Sequence, residues 1–261
     1  MEIAVGSLLP EHTGAAPHAR SLGRRARASA ALALGVLTLG LLGPRGGSTA
    51  EAQPRTGARA KSVFEYGCRV QAPQKFLMRR SFLHKGVLDP KKHAAALRYL
   101  TERYGRADKD ALAHGSNGSA LAQAKTVRFM GLPISIHAKI APALACVEKR
   151  IRKTCTGASR YTPRAIGGFR SSNTYRGAEV SNHLFGLAID IDPDRNACCG
   201  CVDPWPNNPI CKNTGSVYKR TALTQCWIRS FERFGFDWLG RDPLEDTMHF
   251  EFLGDSSRIT K

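Results

Sequence analysis

Eight cysteines constrain this chain more than any other feature: Cys68, Cys146, Cys155, Cys198, Cys199, Cys201, Cys211 and Cys226. An even number in an exported chain reads as a disulfide framework, because thiols stay paired only in an oxidising compartment. That reading depends on the start of the chain. There Arg20, Arg24, Arg25 and Arg27 precede an apolar run from Ala28 to Gly43, broken by Ser29 and Thr38, and Ala50-Glu51-Ala52 follows. A basic region, an apolar stretch and a small-residue site in that order predict a secretory signal peptide over 1–52, cut after Ala52. A retained anchor is the alternative, but 28–43 is 16 residues, short of the ~20 that span a bilayer. The expected location is therefore outside the cytoplasm, periplasmic or extracellular.

Charge narrows the partners. The chain holds 39 Lys+Arg and 21 Asp+Glu. Residues 1–52 take five and three of these, which leaves 34 against 18 and a net charge of +16 on the mature chain. A charge this large favours anionic polymers, which outside the cell means wall carboxylates, teichoic-type phosphates or lipopolysaccharide. It is also what a plain solvated surface of an Arg-rich protein shows. No nucleic-acid-binding signature is present, so no nucleic-acid partner is expected. A length of 261 residues suits one domain with an appendage, expected as a monomer.

Residues 53–125 read as an N-terminal extension of unknown role. It begins with a polar leader over 53–62 and contains a weak amphipathic helix, Lys91 to Tyr104, and a loop over 107–124. Residues 126–261 are better patterned. Val127 to Ile136 suits a strand or hairpin around Gly131. Pro142 suits the first turn of a helix that buries Ala143, Leu144, Val147 and Ile151. Another helix is expected from Leu223 to Phe234, stopped by Gly235. Strands are expected at Ile166–Arg170, Leu187–Ile191 and His249–Leu253. Strands and helices mixed without a βαβ rhythm predict an α+β fold.

The chemistry lies in two of those strands. In the first, Ile189 and Ile191 face one side while Asp190 and Asp192 face the other. A carboxylate between two core isoleucines needs a partner or a metal. His183 stands at the start of the same segment, with Gly186 free to bend between them. In the second strand His249 and Glu251 share one face, and Phe250 and Phe252 the other. Two imidazoles and one carboxylate form a sensible zinc set with a fourth position open for water. Asp246, three residues before His249, is the candidate acid/base on that water. Asp192 in place of Asp190, and Glu245 in place of Asp246, are the alternatives.

Ser181-x-His183-x-x-Gly186-x-Ala188-x-Asp190, followed by Asp246-Thr247-Met248-His249-Phe250-Glu251, resembles the zinc D-alanyl-D-alanine peptidases. These include vancomycin-resistance-type carboxypeptidases and dipeptidases and the endolysin L-alanyl-D-glutamate peptidases. The resemblance runs from about Thr126 to Gly254, and Gly168-Phe169-Arg170 matches the family's Gly-aromatic-Arg context. It implies the Hedgehog/DD-peptidase fold, a small, mainly antiparallel sheet flanked by helices. It implies one catalytic Zn2+ on His183, Asp190 and His249, with Asp246 as acid/base and Arg170 on the substrate carbonyl or oxyanion. Ser181 would touch substrate, and Glu251 would hold an imidazole from behind. The implied substrates are peptidoglycan stem peptides. The terminal D-alanyl-D-alanine bond comes first, an endopeptidase is the close alternative, and a wall-binding protein on the same fold is the non-enzymatic one.

The chain departs from the family pattern at Cys198-Cys199-Gly200-Cys201 and Cys211. We read no clean Cys-x-x-Cys pair there and expect a disulfide-stapled insertion at 198–211, rather than a structural zinc site, able to present Trp205 to the cleft.

Overall fold

Asp89 accepts hydrogen bonds from the backbone N–H groups of Lys91 and Lys92. Pro90 occupies the first turn, where no N–H is needed. These two residues start the longest helix one position before the expected Lys91. The computed structural model describes residues 64–108, 118–175, 179–202 and 204–260. The expected signal peptide, the polar leader and much of the 107–124 loop lie outside the described residues.

In chain order, β1 (Phe64–Glu65) and β2 (Cys68–Arg69) form a small hairpin. A single helical turn, α1 (Arg79–Phe82), leads to a second hairpin, β3 (Leu83–His84) with β4 (Val87–Leu88), and then to α2 (Pro90–Tyr104). A third hairpin, β5 (Ala124–Phe129) with β6 (Leu132–His137), turns at Met130-Gly131. Helix α3 (Ala141–Thr154) follows and buries Ala143, Leu144, Val147 and Ile151. Then come β7 (Ile166–Gly167), β8 (Ala188–Ile191), α4 (Gln225–Glu232), β9 (Phe236–Trp238) and β10 (His249–Phe252). The architecture is α+β, with four antiparallel strands in the order β7-β8-β10-β9 at its centre.

One face of that sheet is the core. Phe231 of α4 stacks on Phe250 at 4.1 Å between ring centroids and meets Phe236 edge-on at 5.2 Å. Phe129 of β5 joins the cluster against Trp227 and Phe231. Each such buried aromatic contributes roughly 2 kcal/mol through lost water contact. Residues 77–104 share the same core through Leu77, Phe82, Leu100 and Tyr104. Among the described residues no helix is long and apolar enough to cross a membrane.

All eight cysteines pair. Cys68–Cys146 joins β2 to α3, and Cys155–Cys226 joins the end of α3 to α4. Cys198–Cys201 and Cys199–Cys211 staple the insertion. Cys198 and Cys201 do stand at Cys-x-x-Cys spacing, which our reading of the sequence overlooked.

Some expected boundaries moved for physical reasons. The strand expected to reach Arg170 ends at Gly167. Phe169 and Arg170 donate their N–H groups instead to Ser135 O and His183 O. The helix expected from Leu223 starts at Gln225, because the Thr224 hydroxyl caps it by accepting from Trp227 N–H. Strand β9 and the two N-terminal hairpins were not expected. Their strands are two or three residues long, too short to show a period.

Candidate metal centre and its cleft

Pairing β8 with β10 sets His249 directly opposite Asp190. The alternation that sends Ile189, Ile191, Phe250 and Phe252 into the core turns Asp190, His249 and Glu251 to the other face. His183 reaches the same point from a short 3-10 turn, Asn182–Phe185. That turn closes on Gly186 at φ 65°. A side chain there would bring a Cβ to 2.7 Å from His137 N and 2.6 Å from the Phe169 ring.

Three donor groups converge, with Asp190 turning one oxygen to each imidazole. His183 Nε2 lies 3.1 Å from Asp190 Oδ2 and 3.2 Å from His249 Nδ1, and His249 Nδ1 lies 2.9 Å from Asp190 Oδ1. Zinc bonds of ~2.0–2.1 Å in a tetrahedron separate donors by ~3.3 Å, so this triangle needs only slight opening to fit the ion. Both imidazoles are held from behind. His183 Nδ1–H donates to Gly168 O at 2.5 Å, and His249 Nε2–H donates to Glu251 Oε1 at 3.1 Å. These bonds fix the tautomers that leave Nε2 of His183 and Nδ1 of His249 free to ligate. Gly168 is itself packed tightly, since a Cβ there would sit 2.1 Å from Ser135 O.

The electrostatics also suit a cation. Asp190, Asp246 and Glu251 bring three carboxyl groups to one buried place, faced by the guanidinium of Arg170, whose Nη2 is 3.7 Å from Asp190 Oδ2. Burial pushes Asp190 up, but His183 and His249 outweigh it and hold it below the carboxylate range. Burial pushes Asp246 up to about 7, with Asp190 and Glu251 adding to the rise against His249 and Arg170. Oδ1 of Asp246 and Nε of Arg170 are buried without a hydrogen-bond partner. Unpaired polar atoms of this kind are costly in a folded interior and mark a place where a ligand completes the bonding.

The centre opens into a cavity of about 360 Å³ lined by Arg170, Asp190, Asp246 and His249 together with Thr174, Tyr175, Val202, Trp205 and Met248. Tyr175 was not singled out in the sequence. Its hydroxyl is buried without a partner, and burial, with Glu251 and Asp246 nearby, keeps it protonated far above its usual range. The Cys198–Cys201 staple forms another wall. Its sulfurs and an Asp246 oxygen lie within 4.8 Å of one another, and Cys198 makes a backbone bridge to Asp246.

The remaining candidates sit elsewhere. Ser181 is buried, accepts from His183 N–H at 3.4 Å and does not line the cavity. Asp192 lies past the end of β8 at φ 44°, so the alternation no longer holds for it. Its carboxylate is bonded to Tyr161, Arg195 and the backbone of Arg164 and Ala165. Glu245 pairs with Arg220 at 2.5 Å. Neither alternative residue lines the cavity.

Two imidazoles and a carboxylate around one point, beside the unbonded Oδ1 of Asp246 and a cavity, make up a donor set that could hold a metal ion such as zinc. Residues 175–252, 78 of the 261, match the family described as D-alanyl-D-alanine carboxypeptidase. We found no significant match to the chain among curated proteins or among solved structures.

Proposed function

We propose that the protein is an exported, zinc-dependent peptidase of Hedgehog/DD-peptidase fold that hydrolyses peptidoglycan stem peptides, first of all the terminal D-alanyl-D-alanine bond. The observation that carries this reading is the triangle of His183, Asp190 and His249, with the unpaired Asp246 carboxyl beside it. The family match over 175–252 supports the substrate class. The four disulfides support export.

His183, Asp190 and His249 would hold the zinc, which when bound would supply an acidified water and Lewis-acid polarisation of the scissile carbonyl. The other roles belong to the chain. Asp246, poised by burial near neutral pH, takes a proton from the attacking water and returns it to the leaving amine. Arg170, which lines the cavity, donates to the carbonyl oxygen as negative charge grows there, a contact typically worth ~3 kcal/mol in the transition state. Tyr175 offers a second neutral donor. Glu251 and the Gly168 carbonyl keep the imidazoles aimed, and Ser181 steadies the turn that carries His183. The basic surface holds the enzyme near anionic envelope polymers.

Mass spectrometry of a muropentapeptide incubated with the purified protein, with zinc or with a chelator, tests the proposal. Zinc-dependent loss of one alanine is the expected result. Zinc-dependent cleavage elsewhere in the stem makes it an endopeptidase. Intact peptide in the presence of bound zinc sinks the enzymatic reading in favour of a wall-binding protein.

A further inference from the structure

The cavity at the metal centre is one of two adjoining chambers. Thr174, Tyr175, Cys201 and Val202 line it and also line a second chamber of about 330 Å³. The far walls of the second chamber are aliphatic: Leu83 and Leu88, which face each other across the β3–β4 hairpin, and Leu244. The hairpin lies outside the stretch that matches the peptidase family, so this wall is the contribution of the N-terminal part of the chain.

The polar end of the second chamber is already committed. Arg79 is bonded to Glu179 at 2.6 Å and to Asp242 at 2.5 Å, so one guanidinium serves two carboxylates. Such a group has no charge to spare for a substrate carboxylate, and the residual negative charge repels one. The chamber therefore does not hold the free C-terminus of a peptide. Its walls favour apolar surface, and because it shares Thr174, Tyr175, Cys201 and Val202 with the metal cavity, it adjoins any substrate held there.

We propose that the second chamber takes the side chain of the residue that precedes the cleaved pair, and that it selects an aliphatic stem of several carbons over a methyl group or a carboxylate. The proposal rests on the peptidase reading, since only a peptide lying across the metal cavity places a neighbouring residue there. It makes residues 83–88 a specificity element.

The test uses the zinc-loaded full chain and N-acetyl-X-D-Ala-D-Ala peptides in which X is alanine, leucine, lysine or glutamate. The wild type is expected to show kcat/KM about 10-fold or more higher for leucine and lysine than for alanine, with glutamate lowest, since each well-packed methylene is worth roughly that much. Leu88→Trp fills the chamber without touching the metal cavity. It should remove the leucine and lysine advantage over alanine. Leu83→Trp serves as a second variant if Leu88→Trp misfolds by circular dichroism. Equal kcat/KM for all four peptides, or an advantage that survives both variants, overturns the proposal. Calorimetric Kd values for the same peptides on zinc-loaded Asp246→Asn separate binding from turnover. Absence of cleavage by the zinc-loaded wild type, with a retained leucine and lysine preference in Kd, defeats the peptidase reading and keeps the chamber. Equal Kd values defeat the chamber.

Discussion

Asp190 and His249 face each other across neighbouring antiparallel strands, and the pairing brings Oδ1 to 2.9 Å from Nδ1. Register alone therefore sets two of the three donors, and the metal site inherits the rigidity of the sheet core beneath it. Asp190→Ala should remove a donor without disturbing that core. Bound zinc, measured by atomic absorption after dialysis, should fall from about one per chain to near zero, while the far-ultraviolet circular dichroism stays unchanged. Retention of stoichiometric zinc would refute the assignment.

Asp246→Asn keeps the size of the side chain and removes the proton acceptor. Turnover should drop by about 10²- to 10⁴-fold, the usual worth of a positioned acid/base, with zinc content unaltered. A variant that cleaves at the wild-type rate would move the acid/base role to another residue.

Glu251 touches the proposed donor set through its bond to His249. Glu251→Gln leaves an acceptor for the Nε2–H and removes the charge. Zinc affinity, measured by competition with a chromophoric chelator, should weaken by about 10- to 100-fold. Unchanged affinity would show that the imidazole is held well enough by the strand alone.

Zinc removal should cost stability as well as activity. Ligand that binds only the folded chain adds about 4 kcal/mol at a thousandfold excess over Kd. Chelation should lower the melting temperature of the wild type and leave that of Asp190→Ala unmoved. Identical chelator shifts in both proteins would place the bound metal elsewhere.

His137 predicts how the fold responds to acid. It is fully buried. Its Nε2–H donates to Tyr104 O and its Nδ1 accepts from Lys139 N–H, so the neutral ring uses both nitrogens. Burial pushes it down to about 4 from 6.5. Between those pH values the unfolded chain binds a proton that the folded chain does not. Stability from this residue is complete above about pH 6.5 and falls as pH drops toward 4, by about 3 kcal/mol in all. Urea midpoints from pH 7 to pH 4 should decline less in His137→Gln than in the wild type. Parallel declines would assign the acid sensitivity to other groups.

The shared face of Asp190, His249 and Glu251 was legible in the sequence because strand alternation is a local code. Ile189, Asp190 and Ile191, or His249, Phe250 and Glu251, state their own facing. The same code misplaced Asp192, since nothing local announces that β8 ends at Ile191 and the next residue turns to φ 44°. Tyr175 was invisible for a different reason. Its hydroxyl matters through its position beside Glu251 and Asp246, residues some seventy places further along the chain. Leu83 and Leu88 read as ordinary apolar residues of a short segment, and only the tertiary fold sets them around one cavity with Leu244 and Val202. Cysteine pairing was equally a matter of tertiary contact, although the Cys198–Cys201 spacing was there to be noticed.

The Cys68–Cys146 bond encloses α1, both strands of the β3–β4 hairpin and α2 in one covalent ring. A protease that cuts the backbone anywhere inside that ring converts a loop into two tethered arms and releases nothing. The wall built by Leu83 and Leu88 therefore cannot diffuse away from the body that carries the metal donors. A chain nicked there still keeps its parts together.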